Sequence, residues 1–229
     1  SVELVPVYQK EIIQKSIKHD RFVITATQML QTMIDNPRPT RAEASDVANA
    51  VWDGTDAVML SAETASGHHP VESVEMMVKI IDSAEALRKR DPKLSIKFKM
   101  EPSGRTSQAL CRAAGHCAKE KKTEKIAVFT ESGLMARRLS SYRSGLQTYA
   151  LTTSLRSLNQ LSMIWGVSAF YQAMSDSTEE MLNNGEHTLL SNGAVESGET
   201  IVMMAGRLSG LGLSSSVIVW TIGADVPRR

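Results

Sequence analysis

The sequence predicts an α/β protein in two parts: a short piece holding two βα units, and a larger open sheet of about five strands. Three observations carry this. Short runs rich in Val, Ile and Phe alternate with amphipathic stretches along the whole chain. The connections between them are short, which for strand–helix–strand order implies parallel strands and right-handed crossovers. The alternation breaks once, at "RDPKLSIKFKMEPSGR", Arg90 to Arg105, which is charged, contains two prolines and has little periodicity. That break divides the chain into residues 1–90, a linker over 91–102, and residues 103–229.

In the first part, Val5, Tyr8, Ile12, Ile13 and Ile17 recur at helical spacing, so a helix runs from about Val5 to Lys18. "RFVIT", Arg21 to Thr25, is a short β-rich run. "ATQMLQTMIDNPRPT" has a polar opening, an apolar middle and a stop at Pro37 and Pro39. A helix follows with Thr40 as N-cap, Glu43 three residues on and Gly54 at the C-cap, the pattern of a capping box closed by glycine. "DAVML" is the second strand, short and apolar enough to be buried, and His69-Pro70 precedes a long amphipathic helix to about Arg90. Two parallel strands do not make a stable sheet alone. They either join the second sheet or close something larger.

In the second part, a helix over about Thr106 to Lys121 leads to the strand "KIAVFT", and "SGLMARRLSSYR" is a loop entering a helix. "LQTYALT" is a strand, "SLRSLNQLSMIWG" a helix closed by Gly166, and "VSAFYQ" a strand. Ser177 to Leu190 is mostly helical, and "ETIVMMAG" and "SSSVIVWTIG" complete the sheet.

Composition narrows function only modestly. Hydrophobic residues at 42% are enough for a real core, and a formal net charge of +1 favours neither acidic nor basic partners. Lys119, Lys121, Lys122 and Lys125 cluster without interleaved aromatics, so they read as a solvated helix end rather than a nucleic-acid surface. Cys111 and Cys117 fall on different faces of one helix and match no metal spacing, which points to reduced thiols and a cytoplasmic protein. No run approaches the ~20 apolar residues of a membrane span. The opening "SVELVPVYQKEIIQKS" has no initiator methionine and enters a helix almost at once, the pattern of a chain beginning in the middle of a fold.

In parallel α/β folds, functional groups gather at the carboxyl ends of strands. Two such ends are marked here, by Ala26-Thr27-Gln28 after "VIT" and by Ser61-Ala62-Glu63-Thr64 after "VML". Hydroxyls and N–H groups entering a helix suit a phosphate or carboxylate, and equally suit a helix cap, so the residue pattern leaves both roles open for Thr27 and Ser61. Glu63 would repel an anion and is expected to orient an Arg, a Lys or a water. Arg38 and Arg41, stiffened by prolines, suit anion recognition, a subunit contact or an exposed loop. His68 and His69 are adjacent, not at metal spacing, and read as loop residues.

The series "ATQML", "NPRPTRAE", "DVANAV", "DGTDAVML" and "SAETASG", between Val23 and Gly67, resembles the end of the pyruvate kinase barrel in order and spacing. The second part resembles that family's C-terminal domain through "VFTESG", "YALT", "WGV" and the glycine-rich Gly206 to Gly212. The resemblance implies a partial TIM barrel, its seventh and eighth βα units, followed by the C-terminal α/β domain. It implies phosphoryl transfer from phosphoenolpyruvate to ADP, giving pyruvate and ATP in glycolysis, with Mg²⁺ or Mn²⁺ and K⁺. The catalytic lysine and the ligands of those ions are expected upstream of residue 1, with no metal ligand here and an inactive fragment on its own. By the same resemblance Thr27 lines the substrate site as the catalytic residue, Ser61 and Glu63 lie at the nucleotide rim, and Arg38 and Arg41 belong to a subunit contact in a homotetramer.

The resemblance also implies an allosteric sugar-phosphate site in the loop Thr130 to Arg137. Thr130, Ser132 and Gly133 fit a phosphate cradle, but Glu131 and Leu134 stand where Lys and Arg are common and Met135 replaces a small hydroxyl residue. Weak or absent binding of fructose 1,6-bisphosphate is expected, with a monophosphate, a nucleotide or a simple helix-capping turn as the other readings. Against the enzyme stands a non-catalytic regulatory or oligomerisation module derived from the same family. Neither reading calls for nucleic acid or a membrane.

Overall fold

The structure, a computed structural model, describes residues 1–26, 28–90, 106–205 and 216–224. The chain forms two compact units, Ser1–Lys99 and Met100–Arg229. The expected linker at 91–102 and the segment Gly206 to Gly212 lie outside the described residues.

In the first unit, α1 spans Val5–Lys18, as its periodicity predicts, with proline in its first turn, where a missing N–H costs nothing. It buries Ile13 and Ile17 and leaves Val5, Tyr8 and Ile12 exposed. Helix α2, Arg41–Asp53, begins in the predicted capping box: Thr40 Oγ1 accepts from the Glu43 N–H at 3.2 Å, and the Glu43 carboxylate accepts from the Thr40 N–H at 2.8 Å. Gly54 ends it at φ +97°, a left-handed cap that glycine adopts without strain. The other Glu43 oxygen accepts from the Thr32 N–H at 2.7 Å, tying the helix start to a 3₁₀ turn over Gln31–Ile34. Burial pushes the Glu43 carboxyl up, but the hydrogen bonds from Thr32 and Thr40 outweigh it and hold the group below its ordinary range. At the far end of α2, the buried Asp53 carboxylate faces the negative helix terminus, an unfavourable placement offset by Lys10 and Gln9 from α1.

The two strands of this unit, β1 (Ile24–Thr25) and β2 (Ala57–Val58), pair in parallel, Ile24 with Ala57 and Thr25 with Val58. They are shorter than "RFVIT" and "DAVML" suggest; β2 is half-buried rather than buried, and in β1 Ile24 is exposed and Thr25 half-buried. Each has only the other for a ladder partner among the described residues. Hydrogen bonds from the Asp56 N–H to Val23 O (2.9 Å) and from the Met59 N–H to Thr25 O (3.0 Å) flank the paired residues. A four-residue helix α3, Ala62–Ala65, follows β2, and α4, Pro70–Arg90, packs against α2. The Trp52 indole N–H donates to Ala84 O at 3.0 Å across that contact. Met29, Leu30, Met33, Val47 and Met77 form the buried cluster.

The second unit is a three-layer α/β sheet. Its helices are α5 (Thr106–Glu120), α6 (Leu134–Ser141), α7 (Leu155–Leu161) and α8 (Thr178–Ser191). Its strands are β3 (Lys125–Phe129), β4 (Gln147–Thr152), β5 (Val167–Tyr171), β6 (Thr200–Ala205) and β7 (Ser216–Thr221). The order is β5-β4-β3-β6-β7, with every pair parallel except β6–β7. Central β3 shows why a continuous apolar run belongs there: Ile126 and Val128 enter a cluster with α5 and α6, while Ala127 and Phe129 enter a second with α8. Small residues set the layer spacing. A Cβ on Gly185 of α8 would lie 2.6 Å from Phe129 Cζ, so glycine is what lets that helix sit on the sheet.

Candidate functional site

Chemistry-bearing residues converge at two places, the carboxyl end of the β1–β2 pair and the carboxyl ends of β3 to β5. At the first, β2 runs into Ser61, and the backbone turns through α3, Ala62–Ala65. Glu63 is 2% exposed. Its Oε2 accepts from the Ser61 N–H at 2.7 Å and its Oε1 from the Leu30 N–H at 3.2 Å. The carboxylate therefore stitches the loop after β1 to the loop after β2. A charged acceptor is well suited to this, because hydrogen bonds to an ionised group are about twice as strong as neutral ones. The chain before Gly67 makes the approach feasible: a Cβ on Gly67 would lie 2.8 Å from Glu63 O and 3.1 Å from Ile34 Cα. The His68 N–H then donates to Ile34 O at 2.7 Å, closing the same seam.

Ser61 is exposed, and its hydroxyl makes no cap hydrogen bond. Of the two roles open to it, capping is therefore not the one its geometry takes up. Thr27 lies outside the described residues. Exposed Nδ1 of His68 lies 3.3 Å from the Asp35 carboxylate, and His69 O accepts from the Ser73 N–H (3.0 Å) and hydroxyl (2.7 Å) at the start of α4. Arg38 and Arg41 are both exposed. Arg41 occupies the first position of α2, where a cation opposes the helix dipole, so its placement gains nothing for the helix itself.

At the second place, the loop after β3 is ordered by Thr130, which is 5% exposed. Its Oγ1 accepts from the Gly133 N–H at 3.0 Å, and its own N–H donates to Leu151 O at 3.0 Å. One donor of the expected cradle is thus already engaged within the loop. Gly133 has φ +74°, and a Cβ there would press on Leu161 at 3.2 Å, so both conformation and space call for glycine. Ser132 is exposed, and its carbonyl accepts from Arg137 Nη2 at 3.3 Å. Arg137 is the cation that residue-by-residue comparison of the loop missed; its position one turn into α6, facing back at residue 132, is the signal that could have found it. Beside the loop, Thr130, Leu151, Thr152, Gln172 and Met181 line a cavity of about 40 Å³, room for a few waters. The Gln172 amide is oriented by donation from Nε2 to Met181 O at 3.0 Å, and its Oε1 accepts no hydrogen bond among the described residues.

Among the described residues, no group of three or more His, Cys, Asp or Glu could hold a metal ion, and no helix is long and apolar enough to cross a membrane. Cys111 is buried, Cys117 half-buried, and both are free thiols.

Two family descriptions match the chain: "Pyruvate kinase, barrel domain" over residues 1–74, and "Pyruvate kinase, alpha/beta domain" over residues 108–219. A pyruvate kinase of Staphylococcus epidermidis is 40% identical over 227 residues, covering 99% of this chain and 39% of that protein. One of Staphylococcus aureus is 40% identical over 225 residues, covering 98% and 38%. The crystal structure of a pyruvate kinase from Cryptosporidium parvum superposes with a TM-score of 0.77 at 30% identity, covering 95% of this chain and 44% of that one. The chain spans about two fifths of the length of the curated relatives it matches.

Proposed function

The chain belongs to the pyruvate kinase family, and from that premise we propose that it forms the closing portion of an enzyme transferring a phosphoryl group from phosphoenolpyruvate to ADP. Residues 1–90 supply the last two βα units of the barrel, 91–102 a linker, and 103–229 the effector and interface domain. The single observation that carries the reading is the rim at the carboxyl end of β1 and β2, where Glu63 draws the two loops together and leaves the Ser61 hydroxyl exposed.

In this reading the Thr27 hydroxyl meets the phosphoenolpyruvate carboxylate or assists protonation of the enolate. Ser61 faces the nucleotide, and Glu63 acts through the backbone it holds. Arg38 and Arg41 meet a neighbouring subunit in a homotetramer, and the enzyme is cytoplasmic. Mg²⁺ or Mn²⁺ and K⁺, which in the family neutralise charge on the transferring group, find no fitting ligand cluster among the described residues, so no step is assigned to them here. Thr130, Ser132 and Gly133 form at most a weak effector cradle, since the Gly133 N–H is already engaged. The alternative, a non-catalytic regulatory or oligomerisation module, is favoured by one observation: the one buried carboxylate at the rim is spent on backbone N–H groups.

A lactate-dehydrogenase-coupled assay tests this. The chain alone is expected to show no turnover, and turnover would refute the assignment of essential groups elsewhere. Joined to the preceding part of the Staphylococcus epidermidis relative, it should turn over. In that protein Thr27→Ala should lower kcat and Ser61→Ala should raise the KM for ADP. An inactive hybrid that folds would favour the module, and unchanged constants in both variants would refute the roles given to Thr27 and Ser61.

A further inference from the structure

The chain leaving β1 is held at two points by residues of the second βα unit. Downstream, the Leu30 N–H donates to the Glu63 carboxylate. Upstream, Thr25 meets Thr55, which is 5% exposed and lies in the turn between α2 and β2. We propose, resting on the catalytic role given to Thr27, that Thr55 is a positioning residue for phosphoryl transfer. Its hydroxyl fixes Thr25 and so aims the start of the loop that carries Thr27.

Three features support it. First, the Thr55 hydroxyl is fully used. Its oxygen accepts from the Thr25 N–H at 3.2 Å and from the Thr25 hydroxyl at 3.0 Å. Its one proton is shared between Val23 O at 3.0 Å and Ala57 O at 2.9 Å. The Met59 N–H donates to Thr25 O at 3.0 Å, so the N–H, the carbonyl and the hydroxyl of Thr25 are all engaged by residues 55–59. Second, the strand ladder is too short to do this alone. β1 and β2 pair only at Ile24 with Ala57 and at Thr25 with Val58, so side-chain bonds set the direction in which the chain leaves Thr25. Third, Gln28 has φ +53°, a left-handed conformation unfavourable for any residue but glycine. Asp20, Lys122 and Arg143 share that sign, but they follow the ends of α1, α5 and α6, where left-handed residues are common. Gln28 follows a strand instead, and in sequence it lies between the Thr55 and Glu63 anchors. Strain of this kind persists only where the surroundings over-determine the backbone. A misplacement of about 1 Å can cost a reaction on the order of a hundredfold in rate, so the hold on Thr25 bears on turnover as well as on folding.

Thr55→Val keeps the shape of the side chain and removes its hydroxyl. In the full 229-residue chain, amide exchange read by mass spectrometry should accelerate at least about tenfold in a peptide covering 22–30, where the Thr25 N–H loses its acceptor. Exchange in α4, Pro70–Arg90, should not change, and Thr55→Ser should restore the wild-type rate. In the hybrid with the preceding part of the Staphylococcus epidermidis relative, the coupled assay should show kcat at least about tenfold lower for Thr55→Val. The KM for ADP should hold, and Thr55→Ser should stay close to wild type. With Thr27→Ala already in place, Thr55→Val should lower kcat no further, because it acts through that residue. Thr25→Val removes the partner hydroxyl but leaves the backbone bond; it should give a smaller loss of the same kind, and it decides the matter where Thr55→Val does not fold. If Thr27→Ala leaves kcat unchanged, or a folded hybrid does not turn over, the reading of Thr27 fails and the role of Thr55 fails with it. If Thr27→Ala lowers kcat, that reading stands, and Thr55 alone is refuted by any of four results: intact kcat in both Thr55→Val and Thr25→Val, losses that multiply with that of Thr27→Ala, no rescue by Thr55→Ser, or unchanged exchange over 22–30.

Discussion

Replacing Glu63 by Gln isolates the charge of the seam from its shape. The native carboxylate offers an oxygen to each of two N–H groups, Ser61 at 2.7 Å and Leu30 at 3.2 Å, inside a residue 2% exposed. Gln keeps one oxygen, which the shorter bond to Ser61 claims. Its NH₂ group is then left facing the Leu30 N–H, donor against donor. A hydrogen bond to a charged group contributes about 1.5–3 kcal/mol, and a buried N–H left unpaired costs about 1–3 kcal/mol. The bond lost is the longer of the two, so the net effect falls near 2–3 kcal/mol, which is about 30- to 150-fold in a local opening equilibrium. Amide hydrogen exchange read by mass spectrometry should show this acceleration in peptides covering 28–36 and 61–67. Peptides from the second unit, Met100–Arg229, should be unchanged and serve as the internal reference. Exchange at both loops within about threefold of wild type, a change worth less than a single ordinary hydrogen bond, would refute the stitching role. Glu63→Asp, one methylene shorter, should lose reach to Leu30 first.

Two further outcomes follow from the local chemistry. Glu43 is held below its ordinary carboxyl value of 4.5, so its contribution is present above that value and is lost as pH falls through the lower folded value. Acid unfolding of the first unit should therefore begin below about pH 4.5, and Glu43→Gln should flatten that dependence while costing about 0.5–2 kcal/mol at neutral pH through the lost cap; an unchanged acid limb would count against the assignment. Calorimetry should detect no micromolar binding of fructose 1,6-bisphosphate, since Glu131 would repel a phosphate by about 1 kcal/mol and the Gly133 N–H is taken. Clear micromolar binding would overturn this.

What could be read from the residues depended on the range of the interaction. The capping box of Thr40 and Glu43 and the Gly54 stop are contacts within four residues, and both were legible in advance. Central β3 was legible because burial on both faces leaves an unbroken apolar run. Strand length in the first unit was not, since β1 and β2 extend only as far as each has a partner. The antiparallel course of β7 was equally hidden, because side-chain alternation is the same in either direction. At the rim, the location followed from the strand ends, but the role of Glu63 depended on a partner 33 residues away. Lys119 and Lys125 read as one solvated cluster, yet Lys125 pairs with Glu199 at 2.9 Å and Lys119 lines a groove beside α5.

The strand order of the second unit also bears on its synthesis. β3 pairs with β4 soon after both are made, but its other edge waits for β6, where Ile126 meets Val202. At about 5–20 residues per second, the 75 residues between them take roughly 4–15 s to emerge. Once β5 is also made, a half-sheet of β5, β4 and β3 presents an open backbone edge to the cell for the remainder of that interval, along a strand whose last four residues are buried in the finished fold. The nascent chain is then most exposed to wrong pairing at the centre of its eventual core, and arrival of Ile201 to Ala205 ends that exposure.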